Sequence, residues 1–261
     1  MSERLELASK LAREAGELIA DALGKSQQVD HKSPINLVTA IDRAAEELIV
    51  RGIADRFPDD QIVAEESANA RPGSGPCWYV DPLDGTTNFV HGLPQCSVSI
   101  AFVEGADVQA AVVLDPCKGE LFEAERGSGA RLNGAPIRVS STPRLGDSLL
   151  VTGFPYDRRE HAAFYLSYFE AFMLKAQDLR RFGSAALDLC YLAAGRFDGF
   201  FEWKLHPWDT AAGWLIVEES GGKVTDFDGS TYDAWTPRIL ATNTAIHDEA
   251  LAVLSRLPTS P

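Results

Sequence analysis

The run Asp81-Pro82-Leu83-Asp84-Gly85-Thr86-Thr87-Asn88-Phe89 is where reactive side chains are most concentrated in this chain. It follows an apolar run, Cys77-Trp78-Tyr79-Val80, that reads as a buried strand. The Gly-Thr-Thr segment reads as the start of a helix, whose first N–H groups and dipole favour an anion such as phosphate. Two acids beside an anion site are in conflict with it. Two carboxylates about 4 Å apart already repel by about 4 kcal/mol at an effective dielectric near 20. Divalent cations between the acids and a phosphate remove the conflict. Mg²⁺ suits such a place because it takes oxygen ligands. It can also neutralise a phosphate, generate hydroxide from a bound water and stabilise a leaving alkoxide.

Further acids are candidates for the same site. Val63-Ala64-Glu65-Glu66-Ser67 sets Glu65 and Glu66 at the end of another short apolar run. His206-Pro207-Trp208-Asp209 sets Asp209 where a long apolar helix begins, and Val38-Thr39-Ala40-Ile41-Asp42 sets Asp42 at a helix start. Each also has a plainer reading. Thr86, Asp84, Asp209 or Asp42 alone would be read as a helix cap, and Glu65-Glu66 alone as a solvated turn. Gly183-Ser184-Ala185-Ala186 starts a helix that offers the Ala185 N–H to a substrate hydroxyl.

The order and flanks of these acids resemble the inositol monophosphatase family of Mg²⁺-dependent, Li⁺-sensitive phosphatases. The signatures are Asp81 to Asn88, and Trp208-Asp209 with Gly213 and the later Glu219-Ser220-Gly221-Gly222. The resemblance covers nearly the whole chain and implies an α+β/α/β fold, a layered αβαβα sandwich. It further implies two to three Mg²⁺ ions per site. Glu65 and Asp81, with the Leu83 carbonyl, would hold the first, and Asp81, Asp84 and Asp209 the second. Glu65 would also touch a weaker third. Glu66 would act through water; Asp42 and Thr86 would orient the attacking water. Gly85 and Thr86 would donate N–H groups to phosphate, with no phosphoenzyme. Asp84, Ala185 and Glu202 would face the substrate, the acid at Glu202 leaning toward inositol phosphate. Lys32 matches a loop lysine of the family, in a loop one residue shorter here. A homodimer is also implied.

Rival readings stay open on the sequence. The haloacid dehalogenase phosphatases carry acids two apart before Gly-Thr, the first being a nucleophile; here they are three apart with a proline between. Histidinol phosphate is the first alternative substrate, since a carboxylate also suits a cationic amine. Sugar bisphosphates and nucleotide phosphates would call for an added basic pocket, for which Arg180-Arg181 is the candidate. A regulatory, partner-binding protein on this fold is the non-enzymatic alternative.

The elements that must position these residues are partly legible. The chain has 261 residues and a net charge of −14, which argues against a sequence-independent grip on nucleic acid. Cys77, Cys96, Cys117 and Cys190 show no metal or redox spacing and read as small core residues. The start reads as a polar helix rather than a signal peptide, no apolar stretch is long enough to span a membrane, and a cytoplasmic protein is the expectation.

Helical spacing predicts helices over 3–24 and Asp42–Phe57, with a polar loop at 26–37 between them and Pro58-Asp59-Asp60 as a turn. Short strands follow from Gln61 to about Val139, with Ser97–Val103 and Val108–Leu114 as a hairpin and a strand over Ala130–Arg138. An N-terminal α+β lobe over 1–145 is expected to carry most metal ligands. A C-terminal α/β lobe over 146–261 would carry Asp209 and the substrate side, with helices over 159–177, 184–194, 209–220 and 244–257. The site belongs in the cleft between the lobes.

Overall fold

The computed structural model describes residues 1–25, 29–33, 36–67, 71–73 and 75–260, with the backbone alone at 31–33 and 36. The side chain of Lys32, and Pro34 beside it, therefore lie outside the described residues. Helix α1 (Glu3–Ala22) is capped by Ser2, whose hydroxyl accepts from Leu5 N. Strands β1 (Val29–Ser33) and β2 (Asn36–Thr39) pair antiparallel, and α2 (Ala40–Arg56) follows directly. The loop expected at 26–37 is thus largely a hairpin. The polar residues of β1 show no apolar alternation to read, although Val38 and Thr39 of β2 are buried.

Next come β3 (Gln61–Ala64), β4 (Cys77–Asp84), the short α3 (Thr86–Val90), β5 (Ser97–Glu104), β6 (Asp107–Asp115), β7 (Glu120–Glu125), β8 (Ala130–Leu132) and β9 (Ala135–Pro136). Together β3 to β9 form a seven-stranded sheet in chain order, antiparallel except for β3 on β4. The single strand expected over Ala130–Arg138 is broken by a turn at Asn133-Gly134, both with positive φ.

Beyond residue 145 the chain alternates: β10 (Leu149–Thr152), α4 (Ala162–Met173), β11 (Asp178–Arg180), α5 (Ala185–Ala193), β12 (Gly199–Trp203), α6 (Pro207–Glu219), β13 (Lys223–Thr225), β14 (Arg238–Thr242) and α7 (His247–Leu254). These strands make a mixed five-stranded sheet in the order β11-β10-β12-β14-β13. The helices expected at 159–177 and 244–257 are each shorter than their apolar pattern. The first gives way to the three-residue edge strand β11, and Thr244, at φ 75°, keeps the last from starting before His247.

Strand alternation explains the layering. In β4, Trp78 and Val80 pack with α1 and α2, through Leu11, Ile19, Ile49 and Ile53. Cys77 and Tyr79 point the other way, into a core with α5 and α6. That same core takes Val151, Phe200 and Ala241 from one face of the five-stranded sheet. The opposite face, with Leu150, Phe201 and Leu240, is covered by Phe164 and Phe172 of α4 and Ile246 and Ala250 at α7. The order is helix pair, sheet, helix pair, sheet, helix pair: an αβαβα sandwich. In the middle layer α5 and α6 touch closely, because a Cβ at Gly213 would lie 2.6 Å from Leu189 Cβ. Strands of the two sheets come from opposite sides of residue 145, yet the middle helices fill both. No described helix is long and apolar enough to cross a membrane.

Candidate active site

The pocket lies where β4 ends between the two sheets. It is a cleft of about 490 Å³ whose lining includes Glu65, Asp81, Leu83, Asp84, Gly85, Thr86, Ala185, Glu202 and Asp209. Nine residues from five separate stretches thus meet at one place. Asp42 and Glu66 are not among its lining.

A bulge sets the first two acids. Against β5, Asp81 faces Ser99 and Asp84 faces Ser97, so three residues of β4 span two of its neighbour. Pro82 supplies no N–H to the ladder there. Leu83 N donates to Asp81 Oδ1 at 3.0 Å. Asp84 Oδ2 accepts from Ser184 Oγ at 2.7 Å and Ala186 N at 2.8 Å, which ties β4 to the start of α5. Sequence reasoning assigned the Ala185 N–H to a substrate; the next N–H along is committed to Asp84.

Gly85 then turns the chain at φ 87°, in left-handed space. A Cβ there would sit 2.9 Å from Gln95 O and 3.2 Å from Gly183 O, so the turn needs glycine on two counts. Thr86 Oγ1 donates to Leu83 O at 3.1 Å and lies 3.0 Å from Asp42 Oδ1. Asn88 Nδ2 donates to Gln95 O and Phe182 O, each at 2.8 Å, and fastens α3 across both halves of the chain.

Asp42 is both cap and site neighbour. Its Oδ2 accepts from Thr39 N at 2.8 Å and Thr39 Oγ1 at 2.5 Å, closing a capping box on α2. Its other oxygen reaches Thr86. Burial raises its pKa, with the Thr39 donors working against that. Asp209 likewise accepts from His206 N at 2.6 Å, as the third residue of α6, and lines the cleft. His206 stacks on Trp208 at 4.7 Å between ring centroids.

Glu65 follows β3, its N–H bonded to Val80 O at 3.1 Å. The neighbouring Glu66 N–H is held by Glu46 Oε2 at 2.8 Å. Glu66 lines a separate shallow groove with Glu46 and Val50, on the far side of Glu65. Glu46, only 7 % exposed, was missed by sequence reasoning. A charged residue mid-helix looks like solvated surface until the turn it supports is known.

Acids crowd the β4 end of the cleft, while Arg158, Arg181 and Lys204 line it elsewhere. Asp81, Asp84 and Asp209 enter no ion pair among the described residues. Burial first, then Glu65, Asp84 and Asp209, pushes the Asp81 carboxyl well above its ordinary value. Asp209 is raised likewise by burial, then by Glu65 and Asp84. Asp84 is pushed up to about 6 by burial, against its Ser184 and Ala186 donors. Three buried carboxyls with no ion-pair partner among the described residues, offering only oxygen, fit a hard divalent cation. As the side chains stand, no group of three His, Cys, Asp or Glu among the described residues is tight enough to grip one ion. Asp81, Asp84 and Asp209 each turn one oxygen to a local N–H.

The deeper end of the cleft holds further groups. Glu202 is 8 % exposed rather than solvent-facing, and burial pushes its pKa up to about 8. Its carboxylate fills the space over Gly153, where a Cβ would come within 2.2 Å of Oε1. Asp188 on α5 lines the same end, and its Oδ1 is buried without a hydrogen-bond partner. Burial raises the Asp188 carboxyl too, and Arg181 partly offsets that rise at both acids. Arg180 is spent on Asp178, 2.5 Å away. Asp188 went unnoticed because an acid inside Ala-Ala-Leu-Asp-Leu reads as the polar position of an ordinary helix.

Comparison with known proteins agrees with the geometry. Residues 1–258 match the model of the inositol monophosphatase family. An inositol-1-monophosphatase of Synechocystis is 45 % identical over 256 residues, covering 97 % of this chain and 89 % of the relative. A Vibrio cholerae protein named Nus factor SuhB is 44 % identical over 234 residues, covering 88 % of each. Among solved structures, a Thermotoga maritima IMPase superposes with a TM-score of 0.89 at 41 % identity, covering 98 % of both chains.

Proposed function

We propose that this chain, which belongs to the inositol monophosphatase family, hydrolyses a small polyol phosphomonoester, with inositol monophosphate as the first choice. The observation that carries the reading is the convergence of Glu65, Asp81, Asp84 and Asp209 on the Gly85-Thr86 turn in one cleft. The family is one of phosphatases, generally Mg²⁺-dependent. On this reading the four acids and the Leu83 carbonyl hold two to three Mg²⁺ ions. When bound, those ions neutralise the phosphate and lower the pKa of a water.

The remaining work falls to the chain itself. The Gly85 and Thr86 N–H groups orient the phosphate at the mouth of α3. Thr86 Oγ1, held between Asp42 Oδ1 and Leu83 O, fixes the position of the attacking water. Asp42, buried and tied to Thr39, is the fixed end of that relay, and Glu66 acts from outside through water. Water attacks in line, with no phosphoenzyme. At the leaving-group end Asp84, Ala185 and Glu202 face the alcohol, and Asp188, with its spare buried acceptor, joins them. Hydroxyl-rich alcohols suit such acceptors; a cationic amine, as in histidinol phosphate, is the alternative. Arg181 faces this acid pair, and Arg158 lines the same cleft close enough to feel the charge of Arg181.

The test is phosphate release by the purified protein from a panel of phosphomonoesters, with and without Mg²⁺. Release of inositol that requires Mg²⁺ and is inhibited by millimolar Li⁺ supports the reading. Single-turnover labelling should place solvent oxygen in the phosphate; a trapped phosphoenzyme would favour the haloacid dehalogenase chemistry. Glu202→Ala should raise KM for inositol phosphate more than for p-nitrophenyl phosphate. The homodimer belongs to the same proposal, and a monomer by sedimentation would remove it. A second reading, partner binding without turnover, rests on the Nus factor name of the V. cholerae relative. No phosphate release across the panel would favour it.

A further inference from the structure

Two cysteines that no motif links in the sequence meet in the fold. Val98 of β5 faces Leu114 of β6, so the residues just before β5 and just after β6 emerge at the same end of the sheet. There Cys96 Sγ and Cys117 Sγ lie 3.9 Å apart. Cys96 is fully buried and Cys117 half-buried, while Cys77 and Cys190 are buried singly. Lys118 straps the two turns together: its Nζ donates to Pro94 O and Gln95 Oε1, each at 3.1 Å, and to Asp115 Oδ2 at 2.6 Å. Asp115 Oδ1 also accepts from Cys117 N at 2.9 Å, which holds Cys117 in place. The hydrogen bond from Cys96 holds the Cys117 thiol below its ordinary value, with Lys118 adding to this against burial and Asp115. An accessible thiol of lowered pKa with a second thiol behind it has the form of a reacting and resolving pair.

The pair sits directly behind the phosphate-binding turn. Gln95 O takes the Asn88 side chain and lies against Gly85, and Cys96 Cα would be 3.4 Å from a Gly85 Cβ. Ser97 pairs with Asp84 along the sheet, and its hydroxyl lies 3.2 Å from that of Ser184. Closing a disulfide brings the sulfurs from 3.9 Å to about 2.05 Å, through rotation of the two side chains together with a shift of segment 95–97 or of the Cys117 turn.

We propose that Cys96 and Cys117 form a modification site that a hydroperoxide converts to a reversible disulfide, shifting the wall that supports the Gly85 turn. In the first step the Cys117 thiolate attacks a peroxide oxygen. An S–O bond forms, the O–O bond breaks, and the leaving hydroxide takes up a proton. In the second step the Cys96 sulfur attacks the Cys117 sulfur. The S–S bond forms, the S–O bond breaks, and water departs with the Cys96 proton. Two thiols lose two electrons and the peroxide gains them; a thiol reductant reverses the change.

The test uses the full chain and hydrogen peroxide, followed by alkylation under denaturing conditions and non-reducing peptide mapping. A Cys96–Cys117 linked peptide should replace both alkylated peptides and disappear with dithiothreitol, while Cys77 and Cys190 stay alkylated. In Cys96→Ser, a dione probe should trap sulfenic acid at Cys117. Hydrogen exchange over residues 84–97 should change by at least about threefold on oxidation of the wild type, as a local opening equilibrium shifts, and not in Cys117→Ser. Full alkylation of both thiols after peroxide, or a link to Cys77 or Cys190, overturns the site. A linked peptide with unchanged exchange over 84–97 overturns the coupling. None of these readouts depends on phosphatase activity.

Discussion

Asp226 and Asp81 are both nearly out of water, at 5 % and 1 % exposed, yet their surroundings are opposite. Asp226, after β13, faces Arg238, with Nε 2.8 Å from one oxygen and Nη2 donating to the other at 3.1 Å. Asp115 is treated similarly by Lys118. Asp81 has one backbone donor, Leu83 N, and otherwise other acids around it. Asp226 and Asp115 each have a cation within ion-pair distance, whereas Asp81, Asp84 and Asp209 have none among the described residues and raise one another's pKa instead. Burial alone does not mark a functional acid; several buried acids in one cleft raising one another's pKa without an ion-pair partner do point to one.

Exchanging the same charge in both regions should give opposite phenotypes. Asp84→Asn should lower kcat on inositol phosphate by about 10³-fold, as loss of an electrostatic stabiliser of the reacting group does, while far-UV circular dichroism stays that of the wild type. Near wild-type kcat would end the assignment of Asp84. Asp226→Asn should do the reverse. It leaves Arg238 partly buried and unpaired and should cost about 3 kcal/mol of stability by urea denaturation, with kcat per folded molecule unchanged.

Mg²⁺ sharpens the contrast. At a hundred times its Kd it should stabilise the protein by about 2.7 kcal/mol, seen as a raised Tm. Asp226→Asn should keep that gain and Asp81→Asn should lose most of it; equal gains would break the comparison.

The last contrast is one of pH and concerns Glu202, whose pKa is about 8 in the fold against 4.5 ordinarily. Between those values the folded state keeps a proton that the unfolded chain has released. Its contribution to stability is therefore complete below pH 4.5 and is lost as pH rises through about 8, at up to about 1.4 kcal/mol per pH unit. Glu202→Gln should flatten that part of the stability profile measured without Mg²⁺. An unchanged slope would show that Glu202 is ionised in the fold.

Much of the cleft was legible because its chemistry is local. Asp81, Asp84, Gly85 and Thr86 share one strand end and one turn, where spacing along the chain is nearly spacing in space. Glu65 and Asp209 were readable at a strand end and a helix start, the places from which side chains enter a cleft. Asp42 was half legible: the cap could be read, but its second oxygen on Thr86, forty-four residues away, could not. Glu46 and Asp188 carried no local sign, since each looks like an ordinary helical charge until its neighbours are known; of the Arg180-Arg181 pair marked as a basic candidate, only Arg181 reaches the cleft. The β1–β2 pairing escaped because a mostly polar stretch with Lys32 and Pro34 reads as a loop.

By itself the sequence determined the alternation of elements, the apolar faces that stack them, and the motif that brings two acids to a glycine turn. These are set by residues within a turn or a strand of one another, through pleat, helical period and backbone freedom. Only the tertiary structure decided which acids receive a cation and which do not, how deep Glu202 and Asp188 lie, and that Cys96 and Cys117 face each other. Those depend on β4, β5, α5 and α6 meeting from distant parts of the chain, and charge and burial are properties of that meeting rather than of any one segment.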